Sequence, residues 1–333
     1  MIDPLDTLRR LDPVDQDDLA SQPVPQEPLQ RILADPRAAG GPQEPRRHMR
    51  GTLLMVALIS GLAASVLLAL LPGSQPGSQQ HVETALLAVA RAAQAQPAQA
   101  SNGRYAYTRL EETSLSTYAD DPPFSVLIRR VEERWIEPDG SGRVLSTPKP
   151  LTFPSPRDEE RWSAAGRPSG ASKPEDRNLN ATELARSIDP GLPSIDELPT
   201  DPDALHALLS EAASRAGAPV NVRTFELVGE LLGQAAATPQ LRAALFGVAA
   251  QIDGIEDVGA TRDPLGRPGQ AVAIRSDYSG SLTRQLLIYD PAKAQLLASR
   301  VDLLEPVAYT GGTTISYRAL VAAGMTASPR ERP

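Results

Sequence analysis

Cysteine is absent from the chain, which excludes disulfide staples, thiolate zinc sites, a cysteine nucleophile and a lipid-modified cysteine anchor. Noncovalent packing alone must hold whatever folds. Histidine is scarce: His48, His81 and His206 lie far apart, and none has a second histidine or an acid at i+3 or i+4 to complete a ligand pair on a helix. No metal and no cofactor is therefore expected. Lysine is nearly missing, with Lys149, Lys173 and Lys293 the only three among 33 basic residues. The resulting bias toward Ala, Leu, Pro and Arg fits the codon usage of a high-GC bacterium. Positive charge is not in excess either. The net charge is −8, whereas a phosphate-binding surface needs clustered positive charge, so nucleic acid is not an expected partner. A nucleophile elbow, a P-loop, a dinucleotide fingerprint and an EF-hand loop are all lacking. The expectation is a protein that is not an enzyme.

What is present is 333 residues, 41% of them apolar and 4% aromatic, enough for one or two buried cores. The 32 prolines and 24 glycines make about 17% of the chain, above an average of roughly 12% and below the roughly 25–30% of low-complexity chains. Folded parts joined by unstructured ones are expected.

Residues 52–71, TLLMVALISGLAASVLLALL, form a 20-residue run without a charge. At about 1.5 Å per residue a helix of this length spans roughly 30 Å, the thickness of the hydrocarbon core. Eleven Leu, Ile and Val in the run, at roughly −0.3 to −0.6 kcal/mol each, give about −3 to −6 kcal/mol toward insertion. Arg46, Arg47 and Arg50 precede the run, and no Lys or Arg follows until Arg91. The positive-inside rule then puts the N-terminus in the cytoplasm and the rest outside the cell membrane. The 50 preceding residues are too many for a cleaved signal peptide. Ala57, Gly61, Ser65 and Ala69 recur every four residues, a small-residue stripe through which two spans could approach and form a homodimer.

Residues 1–50 carry nine acids and seven bases. Leu5, Leu8 and Leu11, and Leu29, Ile32 and Leu33, fall at helical spacing. Helices this short are marginal alone. Residues 1–45 are read either as a segment that folds onto a cytoplasmic regulatory protein or as a disordered tail.

Beyond the run, residues 73–81 read as a polar linker containing a doubled PGSQ unit, followed by a helix over VETALLAVARAAQAQ. Alternation at Tyr105, Tyr107 and Arg109, at Phe124, Val126 and Ile128, and at Val131, Glu133 and Trp135 predicts long strands. Asp139-Gly140 marks a hairpin turn into residues 143–146. Residues 147–180 read as a polar excursion with one short strand near 161–164. Three helices follow, from Asp201-Pro202 to about 215, from about 222 to 236, and from Thr238-Pro239 to about 252. Strands are expected near 255–262, 270–277, 282–290, 295–304 and 313–321, joined by short turns such as Asp263-Pro264-Leu265-Gly266 and Asp290-Pro291. Short links between consecutive strands mean an antiparallel meander. The expected class is α+β, one transmembrane helix plus an extracytoplasmic antiparallel sheet with helices packed on one face. The corresponding divisions are 1–50 cytoplasmic, 51–72 membrane, 73–81 linker, 82–321 folded domain and 322–333 a loose tail.

Three acidic pairs, Glu111-Glu112, Asp120-Asp121 and Glu132-Glu133, suggest a hydrolase dyad. Adjacent strand residues point to opposite faces, however, so each pair places at most one carboxylate in any pocket, and solvated strand edges explain them better. Tyr105, Tyr107, Trp135, Tyr278, Tyr289 and Tyr317 fall in or beside strands. They are read as core packing, with a concave face for an apolar or sugar ligand as the alternative. Gly311-Gly312 reads as a hairpin turn, and Asn180-Ala181-Thr182 as a glycosylation sequon of little meaning in a bacterium.

Taken together, LRRLDPVDQDDL, LQRILADP, the arginine-flanked run, RYAYTR, ERWIEPDGSGR, LRAALFGVAAQIDGIEDVG, DPLGRPGQAVAI and LLIYDPAKAQLLASR resemble an uncharacterised family of actinobacterial single-pass membrane proteins. Members are often encoded near extracytoplasmic-function sigma factors. The resemblance covers nearly the whole chain apart from residues 147–180. The ectodomain is similar, more loosely, to the half-barrel sheet with helices on its concave face of lipoprotein carriers and periplasmic sigma regulators. The resemblance implies a role in envelope-signal regulation but carries over no catalytic or binding residue. The cytoplasmic part is about half the length of an established anti-sigma domain and lacks its histidine and cysteine zinc motif. The expected function is thus a noncatalytic, membrane-anchored extracytoplasmic binding or sensor module with an apolar or envelope ligand. A structural cell-envelope protein is the alternative.

Overall fold

Two stretches of alternating apolar and polar residues, separated by a helical block, build one sheet. The computed structural model describes residues 76–97, 103–118, 123–167, 173–234, 237–278, 280–305 and 314–333. All of them belong to Leu71–Pro333, the second of two units into which the chain divides.

Strands β1 (Tyr105–Tyr118), β2 (Phe124–Ile136), β3 (Gly142–Pro148) and β4 (Glu175–Leu179) form one antiparallel meander. A second meander contains β5 (Glu256–Arg262), β6 (Pro268–Ser276), β7 (Thr283–Asp290), β8 (Gln295–Leu303) and β9 (Thr314–Thr326). Antiparallel pairing of β1 with β9 joins them into a nine-stranded sheet of order β4-β3-β2-β1-β9-β8-β7-β6-β5. Turn chemistry fixes the hairpins. Between β2 and β3 the Asp139 carboxylate accepts from the Ser141 amide at 2.9 Å while Glu137 N–H bonds Ser141 O at 2.7 Å. Asp263 Oδ1 likewise accepts from the amides of Leu265 and Arg267, and Asp290 Oδ1 from those of Ala292 and Lys293.

Six α-helices and one short 3-10 helix (Ile195–Glu197) lie among the described residues, the α-helices being α1 (Pro76–Gln94), α2 (Pro156–Ala164), α3 (Ala181–Ile188), α4 (Pro202–Ser214), α5 (Val220–Leu232) and α6 (Pro239–Gln251). Asp201 caps α4 through the Ala204 amide at 2.9 Å, and Thr238 caps α6 through that of Leu241 at 3.1 Å. The apolar faces of α1, α4, α5 and α6 meet Val272, Ile274, Leu287, Tyr289 and Leu296 of the sheet in one large core. Leu205, Leu209, Leu227 and Leu245 are fully buried there, each contributing about 1.5–3 kcal/mol by burial. Because strand side chains alternate, Ala271, Ala273, Leu286, Ile288 and Leu297 form a second cluster on the opposite, outer face.

The structure corrects several expectations. No helix among the described residues is long and apolar enough to cross a membrane. The longest, α1, has 19 residues but carries Glu83 and Arg91 and buries Val82, Leu86, Val89 and Ala93 in the sheet domain's core. A single nine-stranded antiparallel sheet with helices stands where a transmembrane helix plus a sheet domain was expected, and no described helix supports the membrane-spanning, single-pass assignment. Residues 52–71, with Ala57, Gly61, Ser65 and Ala69, lie outside the described residues, as do Arg46, Arg47 and Arg50 and the docking segment 1–45.

Within residues 147–180, helix α2 covers the place expected to be a strand, because Ser155 caps it and Pro156 opens it. Strand β4 then adds to the edge of β3. Phe153 and Trp162, isolated in sequence, pack on each other with centroids 5.1 Å apart. Asn180 caps α3 in a capping box with Glu183. At the other end β9 runs on to Thr326, and the segment 327–333, expected to be loose, is bonded to the outer face of β2 and β3.

Candidate functional site

Strand register creates the site. On the helix-covered face of β1, Glu112 pairs with Arg130 of β2 on one side and with Arg318 of β9 on the other. Arg318 Nε donates to Glu112 Oε1 at 2.5 Å, and Arg130 Nε donates to Glu112 Oε2. One carboxylate thus organises two arginines from different strands, 206 residues apart for the Glu112–Arg318 pair. With the described residues Arg318 bonds through Nε alone, leaving its terminal nitrogens as donors on the wall of a chamber.

The facing wall is α5. Gly229 lets this helix approach the sheet closely, since a Cβ there would stand 2.6 Å from Leu287 Cδ2. Beside that contact Phe225, Glu226 and Glu230 look onto the sheet across a space of about 340 Å³. Gln285 Nε2 donates to Glu226 Oε1 at 2.7 Å, tying α5 to β7. Arg223 braces the helix from its other side, donating to Glu226 at 3.1 Å, to Glu230 at 3.4 Å and to Asp189 at 3.0 Å. Ile128, Leu287 and Val301 make the apolar part of the lining, and Ser114, Ser299 and Ser316 place hydroxyls along it.

Burial would raise the pKa of Glu112, but the guanidinium groups of Arg318 and Arg130 outweigh it and hold the carboxyl below its usual range. Glu230 goes the other way: burial pushes its pKa up, and the nearby Arg223 and Arg318 only partly offset that. For Arg318, burial works against the charge, yet the carboxylates of Glu112, Glu132 and Glu230 more than compensate and raise its pKa. A buried array of this kind is stable only while its members stay paired.

The carboxylate pairs split between faces. Glu111 points outward to Arg129, 2.9 Å away, while Glu112 points inward. Similarly Glu132 bonds Arg134 at 2.6 Å on the helix side, and Glu133 faces outward, accepting from Tyr107 Oη at 2.6 Å. Solvated strand edges were the wrong account of them, because Glu112, Glu132 and Glu133 are buried in central strands. Asp120-Asp121 and Gly311-Gly312 lie outside the described residues. The aromatics share no single surface: Tyr289 packs on Phe246 in the core, Tyr107 and Trp135 sit on the outer face, and Tyr278 is exposed.

Sequence reasoning missed Arg130, Glu226, Glu230 and Arg318 altogether. A signal was present in polar residues standing at inward positions of β9, where Ser316 and Arg318 share parity with buried Leu320. Among the described residues no group of three or more His, Asp or Glu is arranged to hold a metal ion. A second cavity, of about 440 Å³, lies by Ile136, Ile195, Leu198, Leu241 and Met325 but gathers fewer charged groups.

No protein-family model matches the chain, and a search of curated proteins found no match to it.

Proposed function

We propose that the protein is a noncatalytic binding module whose ligand occupies the chamber between α5 and the sheet. The observation that carries this reading is the chamber itself, whose volume of about 340 Å³ lies within the roughly 300–1,000 Å³ of small-molecule sites. Its apolar strip of Ile128, Phe225, Leu287 and Val301 runs beside the charged side chains of Glu112, Arg130, Glu226, Glu230, Arg300 and Arg318, so the guest it suits has an apolar body and a polar or charged end. Each carboxylate on its wall is held by an arginine or glutamine, which fixes its orientation toward a guest. Among the described lining residues there is no histidine, lysine or cysteine to activate one of the serines.

The test is a fluorescence titration of the full chain with 8-anilinonaphthalene-1-sulfonate, an apolar body bearing one anionic group. Saturable one-to-one enhancement is expected, with loss in Ser299→Trp, which fills the chamber from β8. Enhancement that does not saturate, or that Ser299→Trp leaves unchanged in a chain with an unaltered melting transition, would overturn the reading.

A further inference from the structure

The outer face of the sheet carries a second, differently built site. Tyr107 and Trp135, cross-strand neighbours with ring centroids 5.2 Å apart, make its floor. Glu133 stands beside them, and Arg143 of β3 lies over the Trp135 ring at 5.0 Å, clamped from behind by two 2.7 Å bonds to Asp176. Residues 327–333 of the same chain lie in this groove. Arg332 makes a bidentate pair with Glu133 at 2.6 and 2.9 Å, Trp135 Nε1 donates to the Glu331 carbonyl at 2.6 Å, and Arg143 Nη1 donates to the Pro329 carbonyl at 2.7 Å. Pro333 rests where Gly324 has no side chain, since a Cβ at that position would stand 3.0 Å from it.

We propose that this groove is a peptide-binding site for segments that carry an Arg-Pro pair after a turn, and that residues 327–333, whose turn is closed by the Glu331 amide donating to Ser328 O at 3.3 Å, are its occupant in cis. The recognition is of peptide type. Two donors read main-chain carbonyls, which any sequence offers, and one buried carboxylate reads a guanidinium in the forked geometry that lysine cannot reproduce. The bare Gly324 surface receives the following proline. The occupant is exchangeable, because residues 330–333 are themselves exposed and their departure breaks none of the strand pairs of β9, which ends at Thr326. Glu133 stays anchored by Tyr107 when the occupant leaves.

A fluorescein-labelled peptide copying residues 327–333 tests this by polarisation against three full-length proteins. These are the unaltered chain, a chain with residues 328–333 replaced by glycine and serine, and Arg332→Ala. Both altered chains are expected to bind the peptide saturably. The unaltered chain should bind at least about tenfold more weakly, because its own segment competes at a high effective concentration. A peptide with alanine at the place of Arg332 should not bind, and a lysine there should bind at least about tenfold more weakly than arginine. Absence of binding by both altered chains at millimolar peptide, or equal binding of the alanine peptide, would overturn the proposal. The peptide-side substitutions leave the protein untouched, so they read the guanidinium contact independently of folding.

Discussion

Because burial raises the pKa of Glu230, the folded protein holds a proton at this group more tightly than the unfolded chain does. Its contribution to stability is therefore full below the unfolded carboxylate pKa and is lost as pH rises through the folded value. Glu230→Gln, which keeps the shape without the charge, should raise the melting temperature at pH 7.5 and change it little at pH 4. Differential scanning calorimetry at the two pH values checks this, and an equal shift at both would contradict it. Glu112 and Glu133 behave in the opposite sense. The hydrogen bonds of Arg332 lead in lowering Glu133, and Arg318 and Arg130 lower Glu112 against its burial. Their stabilisation is present above the usual carboxylate range and disappears as pH falls through their depressed values. Replacing Glu112 by Gln should thus destabilise the chain at pH 7 and have a diminishing effect toward pH 2. Gly142 tests packing instead: a Cβ would stand 2.2 Å from the Trp135 carbonyl oxygen, and main chain cannot yield as a side-chain tip can. Gly142→Ala should cost about 1–3 kcal/mol in urea unfolding.

At the scale of elements, capping and alternation explain both what could be read and what could not. Strands β6, β7 and β8 stand near their expected ranges because buried apolar residues recur along them and the turns between them carry Asp, Pro and Gly. Strand β4, EDRNL, has four exposed residues of five and no alternation, so nothing in its composition marks it. It exists by pairing with β3 and as a charged edge that resists further addition. Helix α3 was legible through Asn180 and Glu183, spaced as a capping box, although that asparagine was read as a sequon. Asn180→Ala should lower stability by about 1 kcal/mol, measured by chemical denaturation. The chamber was hidden for a different reason. Its arginines and carboxylates are tens to hundreds of residues apart, and only the β1–β9 register brings Glu112 to Arg318.

For the whole molecule, the pairing of the first meander with the second through β1 and β9 makes the sheet a single structural body. Trp135 and Trp162 both lie in the amino-terminal half of that body, whereas the far-ultraviolet signal reports all strands and helices. Tryptophan emission and circular dichroism should consequently give coincident urea transitions; separated midpoints would show that the halves unfold independently. The same seam has a mechanical consequence. Tyr105, the first residue of β1, lies opposite Thr326, the last of β9, so tension applied at those two residues loads the rungs of the ladder one after another. The seam would open like a zipper at low force, whereas pulling on Tyr105 and Ser316, at opposite ends of the ladder, would load all its rungs together.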